Sequence, residues 1–190
     1  MENLIKAISS YITLNEHDIH VINKLFVRKE YRKNETIHMA GNICKEFFYI
    51  QKGLIVHYTF DGNHERVIYF SAENESVCDF ESFLENKPSK KTFLAFEDTI
   101  AYAITYENLQ QFYRDVQEGE RFGRLLIESV FSETISHLVA SFTSSAEQRY
   151  LSFTKKFNYI NQRLPQYYIA SFIGVTPQSL SRIRRQIANK

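Results

Sequence analysis

Apolar and polar residues alternate along this chain in three successive rhythms. In the first twenty-five residues Leu4, Ile8, Tyr11 and Ile12 recur at helical spacing. Asn15 is placed to cap a second helical segment that carries Ile19, Ile22, Leu25 and Phe26. From Tyr31 to about Tyr106 the period shortens to two. Phe47-Phe48-Tyr49-Ile50 leads to Gly53, and Leu54-Ile55-Val56-His57-Tyr58 runs into Asp61-Gly62-Asn63, a hairpin signal. Val67-Ile68-Tyr69-Phe70, Thr92-Phe93-Leu94-Ala95-Phe96 and Thr99-Ile100-Ala101-Tyr102-Ala103-Ile104 follow. Short strands rich in aromatic and β-branched residues, spaced 8–12 residues apart, predict a β-barrel or jelly roll.

The third rhythm is helical again. Tyr106 to Tyr113 is a short segment, and Phe122 to Phe142 a long one. Phe131, Ile135, Leu138 and Phe142 form a stripe that Leu125, Leu126 and Val130 extend. About 20 helical residues span about 30 Å, enough to join two lobes and to pair with a second copy. A core helix within one chain is the other reading. Pairing is favoured because the stripe is broad and the strands have a core of their own. Ser144 to Glu147 has the spacing of a capping box, with Ser144 as the cap, before a helix through Tyr150, Phe153 and Phe157.

The stretch from Leu164 to Lys190 carries the most specific pattern. Pro165 opens a helix whose apolar face is Tyr168, Ile169, Phe172 and Ile173. Gly174 breaks it, Val175 plugs the gap, and Thr176-Pro177 supplies an N-cap and a first helical residue for a second helix. Leu180, Ile183 and Ile187 bury that helix, leaving Gln178, Ser181, Arg182 and Arg185 to face outward. Two helices, a Gly-containing turn and a polar outer face describe a helix-turn-helix. In such a motif Gln178 suits adenine and Arg182 suits guanine O6 and N7. Thr176 and Ser179 lie where a helix start binds phosphate.

Charge changes the picture more than composition does. The 190 residues carry a net charge of +1, but residues 149–190 hold eight basic side chains and no acidic one. The preceding 148 residues hold fifteen basic and twenty-two acidic. A basic end on an acidic body points to a polyanionic partner, with Arg184, Arg185, Lys155 and Lys156 adding sequence-independent attraction. Candidate chemistry for an enzyme is missing: no nucleophile–base motif or Gly-rich phosphate loop occurs, and the six histidines include no closely spaced ligand set, so no catalytic role, metal or cofactor is expected. Cys44 and Cys78 cannot build a disulfide framework or a four-thiolate site; two reduced structural thiols is the plain reading, a redox pair the sharper one. No uncharged apolar run of about 18 residues and no secretory leader are visible, so the expected address is the cytoplasm, with no membrane partner.

On these residues the layout resembles the Crp/Fnr family of bacterial regulators across nearly the whole chain. The resemblance rests on Tyr49-Ile50-Gln51-Lys52-Gly53, on Ala95-Phe96-Glu97-Asp98, on the long helix and, most specifically, on the run from Ile169 to Arg182. It implies an α+β architecture: an N-terminal double-stranded β-helix, or jelly-roll, sensor domain (1–115), a dimerisation helix (116–143) and an all-α helix-turn-helix domain (144–190), the wing truncated or absent. It also implies a homodimer on palindromic double-stranded DNA, with base-reading positions at Pro177, Gln178 and Arg182. A small-molecule effector and RNA polymerase are further candidate partners. A sensor module whose last helices touch a protein instead of DNA is the alternative.

The family's cyclic-nucleotide members carry Phe-Gly-Glu and then an Arg followed by Ser or Thr. Here the matching stretches are Val77-Cys78-Asp79-Phe80-Glu81-Ser82 and Pro88-Ser89-Lys90-Lys91-Thr92. The Gly is absent, the Glu position falls on Asp79 and the Arg position on Ser89 or Lys90. A serine or lysine cannot grip a phosphate bidentately as a guanidinium does, and Glu81 and Glu85 add repulsion. Cys78, Asp79, Ser89, Lys90 and Thr92 are therefore the expected effector pocket, without tight binding of cyclic AMP. The cysteine cluster of the iron–sulfur members is also missing.

Overall fold

The computed structural model describes residues 1–62 and 64–189, so Asn63 of the expected hairpin turn lies outside the described residues. Two compact units divide the chain: residues 1–65 with 69–129, and residues 66–68 with 130–190.

The first unit opens with helices α1 (Glu2–Ser9) and α2 (Glu16–Leu25). Asn15 caps α2 as its spacing suggests: its side chain accepts from the Asp18 backbone, and Asp18 returns a bond to the Asn15 backbone. Asp18 is also buried and accepts from the Gln117 backbone at 3.0 Å, tying α2 to a turn ninety-nine residues on. Nothing in the local pattern marks that second task.

Eight strands follow: β1 (Val27–Tyr31), β2 (Thr36–His38), β3 (Glu46–Lys52), β4 (Ile55–Asp61), β5 (His64–Ser71), β6 (Ser76–Val77), β7 (Lys91–Ala95) and β8 (Thr99–Thr105), with the short helix α3 (Phe80–Glu85) between β6 and β7. They form two four-stranded sheets, ordered β1-β8-β3-β6 and β2-β7-β4-β5, which is the jelly roll that the strand spacing predicts. The period-2 pattern is partly masked because β3 and β4 are buried on both faces at their centres. Side chains between the sheets include Phe48, Ile50, Ile55, Phe93, Ala101 and Ala103. A second cluster joins the helices to the outer face of β3 and β8 through Leu4, Ile8, Ile22, Phe47, Tyr102 and Phe112. Gly53 turns β3 into β4 at φ +109; a Cβ there would lie 2.8 Å from the Thr99 Cα and 2.9 Å from the Asp98 carbonyl oxygen, so only glycine fits.

Helix α4 (Tyr106–Asp115) is capped by Thr105, and α5 (Gly119–Thr143) is the long helix. Its C-terminal part is long and apolar enough to cross a membrane by length and composition. It nevertheless carries Glu128 and Glu133, which are costly in hydrocarbon, and Glu133 pairs with Lys156.

In the second unit, α6 (Ala146–Lys156), α7 (Gln166–Ile173) and α8 (Pro177–Ala188) surround Phe153, Phe157, Ile160, Ile169, Ile173 and Leu180, all buried. Phe157 and Phe172 meet edge to face at 5.6 Å, a favoured aromatic geometry. The start of α6 corrects the sequence reading by one residue. Ser145, not Ser144, is the cap, and Gln148, not Glu147, completes the capping box. The two registers look alike in sequence. The Ser144 backbone N–H instead bonds the Ala140 carbonyl at the end of α5, and its own carbonyl accepts from Arg149, which leaves Ser145 as the first residue free to cap.

Candidate functional site: a nucleic-acid interface and a closed sensor pocket

The C-terminal site is built around one turn. Gly174 ends α7 in the left-handed region at φ 72, and its N–H bonds the Ser171 carbonyl. Val175 then reaches back to the Ala170 carbonyl at 2.9 Å. Two residues later Thr176 caps α8: its hydroxyl accepts from the Ser179 backbone and donates to the Ser179 hydroxyl. Pro177 is the first helical residue, where its missing N–H costs nothing. Pro165, expected to open α7 from inside its first turn, stands one position earlier as the N-cap.

Leu180 is fully buried, and Ile183 and Ile187 are half-buried, so the inner face of α8 is fixed. Thr176, Pro177, Gln178, Arg182 and Arg185 are exposed, with Arg184 beside them; Ser179 and Ser181 are half-buried at the helix edge. Arg182, Arg184 and Arg185 form no ion pair among the described residues, and no acidic residue follows Glu147. The structure therefore brings every predicted DNA-contact residue onto one helix and its cap.

Other basic residues of the same unit are already engaged. Arg149 donates from Nε to the Ile173 carbonyl at 2.9 Å and from Nη1 to the Ser144 carbonyl at 2.6 Å, closing the ends of α7 and α5. Lys156 pairs with Glu133 and lies 4.9 Å from the Phe157 ring centroid. The charge of Arg149 and Lys156 counts toward the field of this end, but their head groups are held in place.

Along α5 a line of apolar side chains stands in solvent. Ile127, Phe131, Ile135, Leu138, Val139 and Phe142 are all exposed, Phe142 to 82%. They recur every three or four residues, which places them along one helical surface.

The roll holds the second cluster. Asp79, 2% exposed, accepts from the Ser89 hydroxyl at 2.6 Å and from the Lys91 ammonium at 2.6 Å. Burial pushes the Asp79 carboxyl up, but those two bonds and the charges of Lys91 and His38 outweigh it and hold it below its usual range. Thr92 is buried and accepts from the Ala40 backbone at 3.1 Å. Lys90 is exposed, and its carbonyl, not its ammonium, bonds within the roll, to Thr59. Lys91, which sequence reasoning placed outside the pocket, holds the carboxylate instead. Ser89 and Lys90 precede β7, so no strand alternation marked the choice: Lys91, the first residue of β7, bonds the buried carboxylate and Lys90 stays exposed.

Two histidines line the same interior. His57 is 7% exposed, its ring centroid 4.6 Å from Phe93, and its Nε2 has no hydrogen-bond partner among the described residues. Burial, reinforced by the Lys91 charge, brings its pKa down to about 3, so it is neutral. His38 meets Phe93 from another side at 5.4 Å and is also lowered by burial. Neither histidine stood out in the sequence.

Comparison with known proteins bears on the fold. Residues 28–116 match the cyclic nucleotide-binding domain. FixK2 from Bradyrhizobium japonicum superposes with a TM-score of 0.71 at 14% identity over 86% of this chain and 85% of its own. CLP of Xanthomonas campestris, described as a c-di-GMP-responsive global regulator, does so at 0.70 and 14% over 92% of each chain. A protein from Eubacterium rectale, described as a transcriptional regulator of the Crp/Fnr family, gives 0.69 and 18% over 92% of this chain and 84% of its own. No curated protein matches the sequence at a significant level. The chain thus consists of a roll, within which residues 28–116 match the cyclic nucleotide-binding domain, followed by a helical unit. Its fold is that of the Crp/Fnr regulators.

Proposed function

We propose that this chain is a cytoplasmic transcriptional regulator of the Crp/Fnr type, which binds duplex DNA through α8 as a homodimer and does not respond to cyclic AMP. The observation that carries the reading is the outer face of α8. A capped helix behind a tight turn presents Gln178, Arg182, Arg184 and Arg185 to solvent with no acidic neighbour on the helix. Gln178 and Arg182 read base edges, as amide and guanidinium groups do in the major groove. Thr176, Ser179, Ser181 and Arg185 hold phosphates at the helix start and flank.

The dimer is supported by α5. Six large apolar side chains are exposed along it, and burying each stabilises an association by about 1.5–3 kcal/mol before the costs of assembly. Replacing Phe131 and Leu138 together by Glu is expected to convert a dimer to a monomer in gel filtration. A monomeric wild-type chain at micromolar concentration would remove the two-fold geometry, in which half-sites lie about 34 Å apart. Residues 1–115, 116–143 and 144–190 divide the work into sensing, pairing and DNA contact.

The lack of response to cyclic AMP rests on Asp79. Its carboxylate is neutralised from within by Lys91 and Ser89, in the stretch where an anionic ligand would need a free cation. An effector of other chemistry, contacts with RNA polymerase, and a binding rather than catalytic role complete the reading. The deciding experiment is a salt titration of duplex binding. Affinity that falls steeply between low and moderate salt is expected. Binding that ignores salt, or no binding in dilute buffer, would hand the C-terminal helices to a protein partner.

A further inference from the structure

The roll contains a pair of thiols that the DNA-binding reading does not use. Cys44 precedes β3, and Cys78 directly follows β6. The antiparallel pairing of Phe48 with Val77 brings these two ends together. Cys44 is 2% exposed, and its backbone N–H donates to the Ser82 hydroxyl of α3 at 2.8 Å. Both cysteines are free thiols, and Cys78 packs against the apolar cluster that holds Cys44; the Cys44 thiol donates to the Glu46 carbonyl at 3.4 Å. Cys44 also forms part of the wall of a partly open cavity of about 370 Å³, with His38, Asn42 and Phe48 among its neighbours there.

We propose that Cys44 and Cys78 are a hydroperoxide-oxidised dithiol: a peroxide entering through this cavity reacts at Cys44, and Cys78 then closes a disulfide. In the first step the Cys44 thiolate attacks one peroxide oxygen and the O–O bond breaks. The sulfur becomes a sulfenic acid, and the leaving alkoxide or hydroxide takes a proton. In the second step the Cys78 sulfur displaces hydroxide from that sulfenic acid. The S–S bond forms, and the thiol proton leaves with the hydroxide as water. Two thiols and one hydroperoxide yield one disulfide, one alcohol (or water) and one water, with two electrons passing from sulfur to oxygen.

The division of labour follows from the surroundings. The neighbouring Cys78 thiol, with the backbone of Asp79 and Glu46, brings the Cys44 thiol to about 7 against the opposing effects of burial and the Asp79 charge. A sizeable thiolate fraction therefore exists near neutrality, as an attacking sulfur needs. Burial pushes Cys78 well up, so it stays protonated until its neighbour is oxidised. Closure brings the sulfurs to about 2.05 Å, and the β3–β6 register with the shared apolar cluster places both thiols at one end of that strand pair.

The test uses the full chain, reduced, freed of reductant and exposed to hydrogen peroxide. Expected are a loss of two hydrogens in intact mass and a fall from two titratable thiols to none in denaturant. A Cys44–Cys78 linked peptide and full reversal by dithiothreitol should accompany them. The Cys78→Ser chain should accumulate a dimedone-reactive sulfenic acid at Cys44, whereas Cys44→Ser should keep its Cys78 thiol at the same dose. Disulfides between chains, two oxygens added to one sulfur while the other stays free, or thiols that outlast free glutathione would each overturn the proposal.

Discussion

Charged groups in the two units of this chain are used in opposite ways. In the roll, Asp79 and Lys91 point at each other, with Ser89 filling the remaining acceptor site of the carboxylate. In the helical unit, Arg182 and Arg185 are exposed and form no ion pair among the described residues. The contrast recurs inside the helical unit itself: Arg149 donates from Nε and Nη1 to two main-chain carbonyls, and Arg182 makes no such bond among the described residues. A charge satisfied internally stabilises or specifies the fold, and one left exposed among like charges is available to a partner. Counting basic residues misses this difference.

The comparison breaks most visibly at Lys91. Lys91→Met leaves the Asp79 carboxylate buried with one hydroxyl for company. Urea unfolding should show a loss of about 3 kcal/mol, on the order of what orphaning a buried charge costs. Lys90→Met should change stability by less than about 0.5 kcal/mol. Equal effects at both positions would reject the pairing as a structural element.

The next expected effects separate two arginines. Arg182→Ala should weaken binding to a specific duplex by about 1–3 kcal/mol, relax preference at one base per half-site, and leave unfolding unchanged. Arg149→Ala should do the reverse, costing about 1–3 kcal/mol of stability as two carbonyls lose a charged donor. A uniform loss across sequences for Arg182→Ala would move that residue from bases to phosphate.

Acid sharpens the contrast from the roll side. His57 has a folded pKa near 3 against about 6.5 unfolded, so below pH 6.5 the unfolded chain binds more protons than the folded one. Its contribution is complete above pH 6.5 and is lost as pH falls toward 3, at up to about 1.4 kcal/mol per unit. His38 and His137 are also lowered and act in the same direction. The His57→Leu chain should lose less stability than wild type between pH 6.5 and 5, by about 2 kcal/mol, in urea titrations at each pH. Parallel curves would place solvent around His57. The smallest effect belongs to Thr176→Ala. Loss of the α8 cap should cost about 1 kcal/mol in thermal unfolding and should weaken duplex binding equally on every sequence.

Much of this molecule was legible in its sequence because local physics marks it. Asn15 and Thr176 cap helices in the way their side-chain oxygens favour. Gly174 takes the left-handed turn, and the Thr176-Pro177 start and Leu180 fix which way α8 faces. The exposed stripe of α5 and the strands of the roll follow from periodicity alone. The short strands β2 and β6 and the six-residue α3 left no such mark, being too brief for a period to show, and β1 carries Arg28, Lys29 and Glu30 in a row with no apolar alternation. Ser144 and Ser145 offer the same capping chemistry, and only the end of the preceding helix chooses between them.

Local chain chemistry therefore set the order of elements, the outward face of the last helix and the segregation of charge, each within a few residues. Tertiary structure alone decided which charges cancel. Lys91 over Lys90, Asp18 under the Gln117 backbone, His57 against Phe93, and Cys44 beside Cys78 are contacts across ten to about a hundred residues. Sheet closure and register fix those within the roll, and the docking of α2 on the turn at Gln117 fixes Asp18; no local spacing encodes either.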